Sequence, residues 1–149
     1  MLAQVTTPAQ PSDDVFPLMG STVEPLVTSG DSGGAWEAVR TTVGPGGRSP
    51  LHTVAEDKVF LVLAGELVVV LDGAEHALPA GSVAKVPAGT PHCYRNDSGA
   101  PGQLLVLTTG AEHVEFLRGM SRLTAGGPPE PAALAAHTAT HGVRILPPR

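Results

Sequence analysis

The chain has 149 residues, of which 18 are Gly and 15 Pro, too many breakers of helices and central strands for a long helical bundle. Nine basic residues stand against fourteen acidic ones for a net charge of -5, and without a basic stripe nucleic acid is not an expected partner. No apolar run approaches the roughly 20 residues that span a bilayer, so one globular domain with a core of Val, Leu and Ala is expected.

Residues 1–14 are polar, contain Pro and show no period, and are expected to form a flexible arm or a strand docked on a partner subunit. They also lack a charged segment followed by an apolar one, so a cytoplasmic protein without a secretion signal is expected. Gly30-Asp31-Ser32-Gly33-Gly34 copies a serine-nucleophile signature. No His precedes it and a strand follows, so a turn is the expected role. From Trp36 to about Thr109, short apolar runs alternate with Gly, Pro and Asp turns: Trp36 to Val43, Val59 to Leu63, Leu67 to Leu71, Val83 to Val86 and Leu104 to Thr108. Turn signals at this spacing predict an antiparallel sandwich or barrel, with Asp72-Gly73 as its clearest hairpin turn. Two short helices are predicted after Gly110, over Glu112 to Leu123 and Pro131 to Thr140, packed outside the barrel. Residues 15–149 then form one domain, with the barrel core at about 36–109 and a helical tail over 110–149.

The sharpest motif runs from Gly81 through Pro87, Gly89 and His92 to Asn96, in the form G-x5-P-x-G-x2-H-x3-N. Pro87 and Gly89 make a tight corner, and the strand after it carries His92, Tyr94 and Asn96 on one face by period-two alternation. Cys93, the lone cysteine, faces the other way; no intrachain disulfide can form.

This segment resembles the second motif of the cupin superfamily, matching it at every defining position. The first motif, G-x5-H-x-H-x3-E-x6-G, aligns with Gly46, His52, Val54, Lys58 and Gly65, with Glu66 to Ala80 between the two. The resemblance implies an all-β cupin barrel, a jelly roll or double-stranded β-helix, with the two short helices C-terminal to it. It is closest in kind to small bacterial cupins of the quercetin-dioxygenase type, and it implies a homodimer formed by strand exchange. In that family the two histidines and the Glu of the first motif join the second-motif His on one Fe, Mn, Ni, Cu or Zn ion. Here Val54 and Lys58 replace two of the four ligands. Two imidazoles hold a metal weakly and an ammonium repels it, so a pocket that is metal-free or binds metal very weakly is expected. If the strand start slips, Glu56 shares the parity of Lys58 and turns in as a carboxylate ligand beside His52 and His92.

The pocket is expected to be lined by His52, Lys58, His92 and Tyr94 with Val54, Phe60 and Val62. Lys58, its pKa lowered by burial, serves there as a base, a Schiff-base amine or an anchor for a carboxylate or enolate, while His52, His92 and Tyr94 move protons. The resulting expectation is an isomerase, cyclase or lyase acting on a small carbonyl or polyketide-like compound. The alternatives are a metal-dependent dioxygenase and a non-catalytic binding or sensing module, and a plainer outcome has Lys58 reaching the barrel mouth to pair with Glu56 or Asp57. His137 and His141, four apart, suit a helix C-terminus; His76 and His113 are assigned to surface or turn positions.

Overall fold

The computed structural model describes residues 1–148. Its elements are β1 (Phe16–Leu18), β2 (Ser21–Val27), α1 (Ser29–Ser32), β3 (Trp36–Val43), β4 (His52–Thr53), β5 (Lys58–Ala64) and β6 (Glu66–Leu71). They continue with β7 (Ala74–Pro79), β8 (Val83–Val86), β9 (His92–Arg95), β10 (Gly102–Thr109), α2 (His113–Thr124), α3 (Pro131–Thr140) and β11 (Arg144–Ile145). A six-stranded sheet ordered β1-β2-β3-β10-β5-β8 faces a five-stranded sheet ordered β11-β4-β9-β6-β7. All pairings are antiparallel, the two-layer arrangement of a cupin barrel. No described helix is long and apolar enough to cross a membrane.

Alternation decides which side chains meet inside. Lys58, Phe60 and Val62 on β5 point inward beside Leu104, Val106 and Thr108 on β10, and Leu67 and Val69 on β6 oppose them from the second sheet. The register is closed on both sides of β5, with Lys58 opposite Thr108 and opposite Val86. A slip of one residue would turn Lys58 outward and expose Phe60, so the packing of this face fixes the ladder. The hairpin between β6 and β7 turns at Asp72 and Gly73, with φ of 48° and 85°, the positive values that a two-residue turn requires.

The two cupin-like motifs are joined through their backbones. Gly46 donates its N–H to the carbonyl of Asn96, and Asn96 donates its own to Gly47, each at 2.9 Å. The buried Asn96 side chain adds donations to the carbonyls of Val43 and Ala100, both at 2.8 Å. The last residue of the second motif therefore ties the sheets together at the end of β9 and takes no part in the interior chemistry.

The barrel is wider in sequence than residues 36–109. β1 and β2 extend the larger sheet upstream of Trp36, and β11 pairs with β4 from the far end of the chain. Pro25 within β2 and the short length of β1 and β11 had hidden these strands. Gly30 to Gly34 lies on the one-turn α1 and its cap, where Ser32 Oγ donates to the carbonyl of Trp36 at 2.6 Å, a turn role.

The helices do not both lie outside the barrel. α2 lays Val114, Phe116 and Met120 over its mouth, where they join the main core. Its amphipathic spacing calls for such a surface, and the barrel interior supplies the largest one. Glu37, buried on β3, accepts the N–H groups of Ser29 at 3.1 Å and Val114 at 3.2 Å, fastening the starts of α1 and α2 to the sheet. Arg118 pairs with Asp14, and its guanidinium lies 5.4 Å from the centre of the Phe16 ring, so the chain just before β1 is tied to α2. α3 clamps α2 from outside: the His137 ring stacks on Phe116 with its Nε2 2.8 Å from the Phe116 carbonyl, and His141 Nδ1 lies 2.7 Å from Glu112. These two histidines join the helices to each other and do not merely complement a helix end. His76 lies exposed on β7.

Gly119 is what lets this clamp close, because a methyl group there would overlap the His137 ring. A helical Gly→Ala change ordinarily stabilises by up to about 1 kcal/mol. Gly119→Ala is instead expected to destabilise the fold by about 1–3 kcal/mol through overpacking. The same change made in a His137→Ala background should cost much less, as urea unfolding of the two single variants and the double variant will show.

Candidate functional site

The polar group of the site is built by three strands, β4, β5 and β9, and the start of helix α2. His52 and His92 face each other across the β4–β9 pairing, their ring centres 4.2 Å apart. Each ring is set by its own strand: His52 Nδ1 lies 2.7 Å from the carbonyl of Pro50, and His92 Nδ1 lies 2.8 Å from that of Thr90. A carbonyl only accepts, so both Nδ1 atoms carry the proton and both Nε2 atoms are left as lone pairs. Lys58 reaches in from β5 to place Nζ 3.2 Å from His92 Nε2 and donates to it. Phe60 walls the group, with Lys58 Nζ 5.9 Å from its ring centre and Tyr94 edge-on to it at 6.4 Å.

Lys58 thus points inward, at 5% exposure, and does not reach the mouth to pair with an acid. Asp57 turns the other way and accepts the N–H of Ala88 at 2.8 Å. Glu56 has the parity of Lys58 but lies before the first rung of the ladder, half-buried beside Gly110. Burial raises its carboxyl above the usual range, with Lys58 pulling the other way. Because the register starts at Lys58, Glu56 does not join the two imidazoles, and among the described residues no group of three or more His, Cys, Asp or Glu is placed to hold a metal ion. Cys93 faces the outer surface of the smaller sheet, away from His92.

Burial governs the charge states. Desolvation pushes Lys58 down to about 8, with Glu56 opposing. His92 falls to about 4 through burial and the nearby Lys58 charge, and His52 falls well below the ordinary imidazole value for the same reasons. Burial lifts Tyr94 to about 12, which keeps its hydroxyl protonated. At neutral pH the interior therefore holds one ammonium, neutral imidazoles and a neutral phenol.

His113 belongs to this group, contrary to the surface position expected for it. It starts α2, is buried, and lines the cavity, and burial with the Lys58 charge pushes its pKa well below the usual value. The signal was present in the sequence: His113, Phe116, Leu117 and Met120 recur at helical spacing and form one face. With Thr41, Val106, Val143 and Ile145 they enclose a cavity that leaves about 50 Å³ for the centre of a water molecule to move in, where a single water needs about 10–15 Å³. Val54, Val62 and the fully buried His92, all expected to line the pocket, lie in the core beside the cavity, whereas His52, Lys58, Phe60 and Tyr94 are part of its wall.

A divalent metal, which the resemblance implies, does not fit this donor set. Val54 offers no lone pair, Lys58 offers a cation where a carboxylate would offset the metal charge, and the His92 Nε2 lone pair is already occupied by Lys58. The ammonium holds the place that a metal would take against His92.

Residues 39–108 match the family described as the cupin domain. The chain is 40% identical over 83 residues to Quercetin 2,3-dioxygenase of Bacillus subtilis (strain 168), covering 54% of this chain and 25% of that protein. It spans only 25% and 28% of the length of the curated relatives it matches. Among solved structures it is similar to a sugar phosphate isomerase of the cupin superfamily from Silicibacter pomeroyi DSS-3, at 27% identity and a TM-score of 0.56, covering 66% of this chain and 69% of that one. It shares its fold with the polyketide cyclase RemF from Streptomyces resistomycificus, at 21% identity and a TM-score of 0.63, covering 73% of this chain and 80% of the other. Two facing antiparallel sheets, both motifs with their turn residues intact and these likenesses agree, and the chain belongs to the cupin superfamily.

Proposed function

We propose that the barrel cavity is a metal-independent acid/base site that moves a proton on a small carbonyl compound, as in an isomerisation, cyclisation or elimination. The observation that carries this is the Lys58 ammonium, 3.2 Å from His92 Nε2 and in the wall of the barrel cavity. His92 uses one hydrogen bond of Lys58, and the remaining N–H groups are available to a carbonyl oxygen, which gains negative charge as the neighbouring carbon loses a proton. His52 Nε2, a neutral lone pair facing the same space, takes that proton, and the Tyr94 hydroxyl supplies one to the product. His113 is a further neutral imidazole in the same wall. The cavity size supports a compact substrate, and the sugar phosphate isomerase likeness supports proton transfer next to a carbonyl. Pairing of two copies through the N-terminal arm is part of the same proposal, supported by the exposed apolar side chains of Met1, Leu2 and Val5.

The match to Quercetin 2,3-dioxygenase favours a second reading, a metal-dependent enzyme. Elemental analysis of protein purified without chelator separates the two. A transition metal at one per chain, lost in His52→Ala, would replace the proposal; substoichiometric metal that no histidine variant alters agrees with it.

Lys58→Met tests function and stability together. Turnover should fall about 100-fold or more, the usual scale of a lost acid or base group. Stability at pH 7 should rise by about 1–3 kcal/mol, because an unpaired buried ammonium gives way to an apolar chain of similar volume. Lower stability and unchanged turnover would show that Lys58 is a structural residue.

The pH dependence has two limbs. Activity should rise as His52 loses its proton below pH 6.5 and fall as Lys58 loses its own near pH 8, a bell in kcat/KM. For stability, the unfolded state binds more protons than the native one wherever the native pKa is lowered. Unfolding free energy should therefore fall as pH drops from 6.5 toward 4, where the unfolded histidines protonate and buried His92 does not, and rise with pH between about 8 and 10.5 through Lys58. Urea titrations across that range check both signs, and the alkaline rise should vanish in Lys58→Met.

A further inference from the structure

Charge is distributed unevenly between the surface and the cavity. The chain has fourteen acidic residues against nine basic ones, yet no acidic residue lines the cavity, while Lys58 and Arg48 both do. Arg48 lies on the segment between β3 and β4, and among the described residues no ion pair holds its guanidinium. Arg40, Arg95 and Arg118 are by contrast each paired with acids. The backbone beneath Arg48 is fixed: it bridges to Arg95, and the next residue, Ser49, donates its N–H to the carbonyl of Tyr94 at 2.9 Å. Arg48, Ser49, Pro50 and Ile145 also line a groove on the outer face of the smaller sheet. Arg48, an exposed residue, therefore stands at the rim where the cavity meets solvent.

We propose that the substrate is a small oxo carboxylate, with its carboxylate held by the Arg48 guanidinium and its carbonyl directed at Lys58. The carbonyl end of this assignment rests on the acid/base reading above; the carboxylate end rests on Arg48 alone. An anion entering an apolar cavity loses its hydration, and only fixed positive charge offsets that cost. This wall supplies one buried cation, Lys58, and one exposed cation at the rim, Arg48, with no acid to compete for them. A planar guanidinium matches a carboxylate with two parallel hydrogen bonds. Between the two cations, Phe60, Val106, Phe116 and Met120 suit a short alkyl body. A phosphate gains nothing from the Val114 amide near the start of α2, which Glu37 already takes.

Isothermal titration of the full chain with 2-oxobutyrate, with its neutral amide and with inorganic phosphate tests the assignment. The acid should bind about tenfold or more tighter than the amide, the value of a charge-assisted hydrogen bond. Arg48→Gln should abolish that preference by bringing binding of the acid down to the level of the amide. Equal binding of acid and amide, a preference that survives Arg48→Gln, no binding of either compound, or tighter binding of phosphate would each overturn the proposal. Exchange of the substrate's α-proton into deuterated water, followed by NMR, reads the acid/base chemistry separately. A preference that depends on Arg48 without exchange ends only the acid/base reading; exchange without acid preference ends only the carboxylate assignment.

Discussion

The hydrogen bond from Lys58 to His92 places a positive charge in the middle of an apolar barrel, and the rest of the interior has to accommodate that charge. An ammonium with 5% exposure and a neutral imidazole as its partner has no contacting counterion among the described residues. Its field adds to burial in holding His52, His92 and His113 neutral. Burial first, and second the charge of one side chain placed where the strand ladder leaves it no other direction, keep the three imidazoles neutral at neutral pH.

That placement is energetically costly, and the scaffold is built to hold it. Lys58 sits in a closed register between β10 and β8, so turning it outward would also expose Phe60 and Val62. Carbonyls of the preceding turns fix both imidazole rings, and α2 shuts the mouth with Phe116 and Met120. α3 in turn presses on α2 through His137, in the space left by Gly119. A buried charge tolerated at a cost in stability is common at functional sites and rare elsewhere.

The chain also separates two parts of the cupin signature. Gly46, Gly47 and Asn96 act through backbone geometry and hydrogen bonds that join the sheets, independent of what the barrel binds. The ligand positions act through side chains aimed inward, and these can change from carboxylate to ammonium without disturbing a turn. Family membership and metal chemistry therefore rest on different residues, and here only the first set is kept whole.

Much of the fold was legible in the chain itself. Period-two runs bounded by Gly and Pro located β3, β5, β6, β8 and β10, the Asp72-Gly73 turn located its hairpin, and Pro131 with Gly142 bracketed α3, because each of these signals is local. β1, β2 and β11 escaped notice, since their pairing is long-range and their own residues carry little pattern. His113 escaped because its burial depends on where α2 docks. The face shared by His92 and Tyr94 follows from alternation and was readable from spacing, whereas the inward place of His52 came from the resemblance to the first cupin motif. Whether Lys58 entered the barrel or paired with Glu56 or Asp57 at its mouth was not readable: parity permits both, and the ladder between β5, β8 and β10 decides. Sequence determined the sheets, the turns and the loss of half the ligand set, because these depend on neighbours along the chain. Only the tertiary structure decided that Lys58 meets His92 beside a cavity covered by a helix, because that outcome depends on strands and a helix far apart in sequence.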